Sequence, residues 1–87
     1  MSKEELTTCI RDAIELLENY RSFGPMVEGG IATFTRINEC VVNPSPEAVG
    51  EVKDLIAQMQ RKIGPYKSMV PQVALALDKL TEWSKEK

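Results

Sequence analysis

Arg21-Ser22-Phe23-Gly24-Pro25 and Arg61-Lys62-Ile63-Gly64-Pro65 decide how this chain folds. In each, glycine can take the backbone angles that stop a helix, and proline cannot continue one. Between them Pro44-Ser45-Pro46 supplies a third break. Three breaks in 87 residues leave four helical segments. They read as an all-α, four-helix antiparallel bundle built from two helical hairpins, one single helical domain over residues 1–87, with the second helix the shortest or the most irregular. The two turns are offset by 40 residues, whereas the apolar patterns before them align better at 39, Ile10 with Val49 and Leu16 with Leu55. Identity outside the turns is negligible. The pair therefore reads as one helix-stop chemistry used twice, with an ancient duplication as the alternative.

Working outward from the first turn, the spacing predicts a helix over Ser2 to Ser22. Ser2 and Glu5 have the spacing of a capping box. Leu6, Cys9, Ile10, Ala13, Ile14, Leu16, Leu17, Tyr20 and Phe23 recur at steps of three and four, covering roughly half the helix circumference. A stripe that broad implies more than one neighbouring helix. The segment after Pro25 has two readings. Proline is suited to the first helical position, yet Gly29 and Gly30 each cost about 1 kcal/mol relative to alanine inside a helix. The helix starts at Pro25 with a loosened first stretch, or at Ile31 after a short turn. From Ile31 the pattern Ile31, Phe34, Ile37, Val41 is amphipathic, and Asn43 before Pro44 closes it.

The third segment is signalled by Ser45 as N-cap, Pro46 in the first position and Glu47 at the positive end of the helix dipole. Val49, Val52, Leu55, Ile56, Met59 and Ile63 make a narrow apolar stripe, and Arg61 and Lys62 suit the negative end. In the fourth segment an interior Pro71 would cost about 3 kcal/mol. Ser68 is therefore expected to cap a helix whose first turn is Met69-Val70-Pro71. Met69, Val70, Val73, Ala74, Leu77, Leu80 and Trp83 share its inner face, Leu75 points nearly opposite, and Lys85 and Lys87 lie at the end.

Composition narrows the function classes. Hydrophobic content of 43% and charged content of 28% are those of a folded globular chain. A net charge of −2 argues against general nucleic-acid binding. The start, Met1-Ser2-Lys3-Glu4-Glu5, is charged and lacks the apolar run of a signal peptide. No stretch approaches the roughly 20 apolar residues that span a bilayer. The expected setting is the cytoplasm, or a host cytoplasm for a viral protein, with no membrane partner.

The chain has no histidine, and so lacks the usual general base and the commonest metal ligand. Cys9 and Cys40 stand apart, each on the apolar face of its helix, and read as buried thiols, a disulfide between them being the alternative. Neither has a histidine to activate it. No zinc, calcium or nucleotide motif is present, and Asp12, Glu15 and Glu18 form a solvated face. No enzyme activity, no cofactor and no metal are expected.

Two features point to binding. Apolar residues that a four-helix core leaves unused, Met26, Val27, Val42 and Leu75, together with the chain's four adaptable methionines, suit a protein partner or a second copy of the chain. The expected function is a non-enzymatic protein-binding module, a small adaptor, inhibitor or immunity-type protein, acting through an apolar helix face and open to self-association. The alternative is a small oligomer that holds a phosphorylated ligand or nucleotide at the Gly-Pro end. There Arg21, Arg61, Lys62 and Lys67 gather near helix N-termini, and Tyr66, with Tyr20 as a second candidate, offers a stacking surface.

Overall fold

In the computed structural model, which describes residues 3–86, the apolar periodicity of the first segment becomes helix α1 (Lys3–Asn19). Leu6, Ile10, Ala13 and Leu17 are its buried line. The expected capping residue Ser2 lies outside the described residues, as does Lys87. The helix stops three residues before the predicted Ser22, and Arg21–Phe23 tighten into a 3₁₀ turn. Gly24 then adopts φ 117° and ψ −170°, a region open essentially to glycine alone. Phe23, predicted on the apolar stripe of α1, is instead turned outward.

Helix α2 (Pro25–Val42) is continuous from Pro25, which decides between the two readings of this segment, and at 18 residues it is longer than α1 and the fourth helix rather than the short helix expected. Gly30 has a packing reason to be there. A Cβ at this position would lie 3.3 Å from Leu17 Cδ1 and 3.8 Å from Met59 Cε, so the missing side chain lets α1 approach closely. A Cβ at Gly29 meets nothing within 4 Å. With the helix running from Pro25, Val27, Phe34, Ile37 and Val41 fall on one face and are buried. The amide of Asn43 donates to the Glu39 carbonyl at 3.0 Å and closes the helix before Pro44.

Helix α3 (Pro46–Ile63) begins as its sequence indicates: the Ala48 amide donates to Ser45 Oγ at 3.0 Å, and Pro46 stands at the first position. Its buried line is Val52, Ile56 and Met59. The second Gly-Pro turn differs from the first. Gly64 is right-handed, φ −44° and ψ −53°, and the chain runs on into a 3₁₀ turn at Gly64–Tyr66. A residue before proline normally avoids helical angles because its Cβ meets the proline ring; glycine has none. The two turns therefore share a sequence but not a geometry.

Helix α4 (Pro71–Glu86) starts later than predicted. Ser68 does not cap it. Residues 67–69 form a turn closed by the Met69 amide donating to the Tyr66 carbonyl at 2.9 Å. Pro71 takes the first helical position, and the Val70 carbonyl accepts from the amides of Val73 and Ala74 at 3.0 and 3.2 Å. Met69, expected on the inner face, is left exposed. Ala76 and Ser84, which the predicted face omitted, are buried.

The four helices pack in a ring, α1 on α2 and α4, α3 on α2 and α4, and enclose one core. Phe34, Leu6, Ile10, Ile37, Leu77 and Leu80 are its largest fully buried side chains. The helices run along the long axis of a body 35 × 22 × 19 Å. Short connections make neighbours antiparallel, so both Gly-Pro turns fall at one end. Among the described residues no helix is long and apolar enough to cross a membrane. Cys40 is buried and Cys9 half-buried, and the two are not bonded to each other.

Candidate functional site

The Gly-Pro end of the bundle holds an apolar cleft of about 100 Å³. Its floor is made of buried groups: Leu17 of α1, Val27 and Gly30 of α2, Met59 of α3, and Val70 before α4. The rim comes from the two turns. Tyr20, Phe23 and Met26 stand on one side, and Ile63, Tyr66 and Met69 on the other. The rings of Tyr20 and Phe23 lie 5.3 Å apart at 36°, a tilted pair on its side of the rim.

What sets this place apart is the exposure of its rim. Six large apolar residues are exposed among the described residues: Phe23 at 69%, Met26 and Met69 at 52%, Leu75 at 50%, Tyr66 at 44% and Val42 at 42%. Four of the six line this cleft. Three of the chain's four methionines, Met26, Met59 and Met69, do so as well. Scattered single apolar residues are ordinary on a protein surface, whereas a contiguous apolar patch rimmed by charge marks an interaction site.

The predicted site residues divide accordingly. Met26, Lys62 and Tyr66 line the cleft, and Val27 lies in its floor. Val27 is thereby part of the core rather than the free apolar group it was expected to be, because α2 starts at Pro25 and turns it inward. Arg21, Arg61 and Lys67 are exposed near the same end but do not line the cleft. Val42 is at the far end of α2, beside a groove shared with Thr7, Ile14 and Asn38, and its carbonyl accepts from Lys3 Nζ at 2.7 Å. Leu75 stands on the outer face of α4, away from both. Tyr20, expected beside Tyr66 as a stacking group, and the methionines Met59 and Met69, expected to add to an apolar patch, line the cleft as well, whereas Phe23 and Ile63 were expected only on helix stripes.

Against an anion site at this end, the proline at the start of α2 and of α4 removes one of the amides that would face the ligand. Glu28 adds a carboxylate to the first turn of α2. Among the described residues, Lys62 is the one charged residue lining the cleft.

A second charged cluster joins α2 to α3 elsewhere. Arg36 donates to both Glu51 oxygens, at 2.6 and 2.9 Å, and to Glu39 at 3.2 Å. The bidentate bonds from Arg36 hold the Glu51 carboxyl below the usual carboxylate range, with partial burial opposing. Burial pushes the nearby Cys40 thiol up, the Glu51 and Glu39 charges add to that, and Arg36 opposes it. Such a thiol is a poor nucleophile. Among the described residues no group of three or more histidine, cysteine or acidic side chains is placed to hold a metal ion.

Comparison with protein-family models, with curated proteins and with solved structures gave no match for this chain.

Proposed function

We propose that this chain is a non-enzymatic protein-binding module of the cytoplasm, an adaptor, inhibitor or immunity-type protein, and that its docking surface is the apolar cleft at the Gly-Pro end. One observation carries this reading: four of the six exposed large apolar side chains gather on the rim of one concave surface. Methionine side chains adapt their shape to an incoming surface at little cost, and three of them are in the cleft.

The magnitudes suit reversible association. Full burial of a Phe or Met side chain contributes about 1.5–3 kcal/mol. The four rim residues are roughly half covered already, so their remaining burial supplies on the order of 3–6 kcal/mol. Association itself costs about 4–15 kcal/mol. The rim alone does not hold a partner, and further contacts around it must contribute.

A phosphorylated ligand at this end is the weaker alternative. Enclosed small-molecule sites run to about 300–1,000 Å³ and need converging polar groups. The cleft is well below that size and nearly all apolar.

The test compares immobilised baits in lysate of the source cell. Wild type, Phe23→Asp, Met69→Asp and Leu75→Asp are used side by side. All three substituted side chains are at least half exposed, so circular dichroism should report the same fold throughout. A partner held by wild type and Leu75→Asp but lost, by at least about 30-fold, from both cleft variants supports the proposal. Equal retention by all four baits refutes it.

A further inference from the structure

The composition of the cleft and the charges around it say what kind of partner segment fits. We propose that the occupant is an amphipathic α-helix of another protein whose apolar face is flanked by Asp and Glu. This inference rests on the docking reading above.

Helicity follows from what the cleft lacks. Every described segment is helix or turn, so there is no strand edge for an extended peptide to pair with. Among the described residues, the only side-chain polar groups lining the cleft are the Lys62 ammonium and the hydroxyls of Tyr20 and Tyr66. An extended segment pressed into such a surface would bury backbone amides and carbonyls without partners. A helix satisfies its own backbone and presents an apolar stripe. Its projecting side chains fit a cleft that holds one or two large groups.

Charge follows from the surroundings. Residues 17–30 and 59–71, which make the two turns and their flanks, carry Arg21, Arg61, Lys62 and Lys67 against Glu18 and Glu28. That is an excess of two positive charges at one end of a chain whose net charge is −2. None of the four cations makes an ion pair or side-chain hydrogen bond among the described residues, whereas Arg36 on the flank of the bundle is paired twice. An acidic partner meets these groups with complementary charge, which speeds encounter and fixes orientation.

The same charges weigh against a second copy of this chain. A two-fold contact of cleft on cleft brings the four cations of one molecule toward the same four of the other. A bilayer surface is also a poorer fit. The floor groups Leu17, Gly30 and Met59 lie below the rim, and a broad planar surface reaches the rim without filling what lies beneath.

The experiment is a display selection on the full chain, using helical peptides with a fixed Leu/Phe face and randomised flanking positions. Expected is enrichment of Asp and Glu flanks. Binding of the selected peptides should fall by about 10-fold or more in Arg61→Glu/Lys62→Glu, and fall again between about 50 and about 500 mM salt. Phe23→Asp should abolish it, and Leu75→Asp should leave it unchanged. Enrichment of basic or neutral flanks whose binding still needs Phe23 overturns the acidic-helix inference and leaves the docking reading standing. Selected peptides indifferent to Phe23→Asp, or no enrichment at all, overturn the inference and count against the docking reading as well. Two parallel measurements cover other occupants. Co-sedimentation with phosphatidylcholine/phosphatidylserine vesicles, or a dimer in sedimentation velocity, either of them lost in Phe23→Asp, would replace the helix with a membrane or a second copy.

Discussion

Replacing Gly29 and Gly30 separately by alanine tests whether α2 is continuous and why it tolerates two glycines. Both stand inside the helix, so each alanine should recover the helix propensity that glycine forfeits, about 1 kcal/mol. At Gly29 nothing opposes the gain, since the added Cβ has no neighbour within 4 Å. Gly29→Ala should therefore raise stability by about 1 kcal/mol, a shift of about 4–8 °C in Tm for a domain of this size. At Gly30 the same gain is set against a Cβ placed 3.3 Å from Leu17 Cδ1. Leu17 must yield by a few tenths of an ångström. It borders the cleft and has room to do so, so Gly30→Ala should still stabilise, by about half as much. Gly30→Val adds a branched side chain to the same gap and should destabilise by about 1–3 kcal/mol. Thermal and urea unfolding followed by circular dichroism at the helix band give all three numbers. If Gly29→Ala brings no gain, the helix does not run through residue 29. If both alanines gain equally, α1 and α2 do not meet at Gly30.

Three further outcomes follow from the described geometry. Ser45→Ala removes the acceptor of the Ala48 amide and should cost about 1 kcal/mol in the same unfolding assay, with Ser45→Asn restoring it. Glu51 has its folded pKa lowered by Arg36, so its contribution is present above the ordinary glutamate pKa of about 4.3 and lost as pH falls through the lowered value. The Tm difference between wild type and Glu51→Gln should accordingly favour wild type at neutral pH and close in acid; a difference that widens in acid contradicts the assignment. In native protein, a thiol reagent should label Cys9 faster than Cys40, which is buried and has a raised pKa, and the order is read directly by mass spectrometry.

How far the sequence could be read depended on which helical phase was being extrapolated. Ser45-Pro46 places the start of α3 without ambiguity, because cap and proline act within one turn. Periodicity likewise found Leu6, Ile10, Phe34, Ile37, Val52 and Leu80, which are buried far from any break. The errors cluster at the two Gly-Pro turns. Extending α1 to Ser22 put Phe23 on a buried stripe, and starting α4 at Ser68 did the same for Met69. Both turns contain 3₁₀ geometry, with about 3.0 residues per turn instead of 3.6, so the α-helical phase is lost within a few residues. Those two side chains swing outward and become the rim of the cleft. Val27 shows the reverse case. Uncertainty over where α2 began left it as a free apolar group, and the continuous helix brings it into phase with Phe34, one heptad on. The cleft was hidden because it is assembled from the residues whose phase the turns reset.

The most direct measurement is a methyl NMR spectrum of the chain labelled at methionine, leucine and valine, recorded with and without the partner retained by the wild-type bait. Met26, Met59 and Met69 should shift or broaden together, from α2, α3 and the second turn, while the methyls of Leu75 and Val42 hold their positions. Shifts confined to Leu75 or Val42, with the three methionines unmoved, would place the interface elsewhere and contradict the cleft as the docking surface.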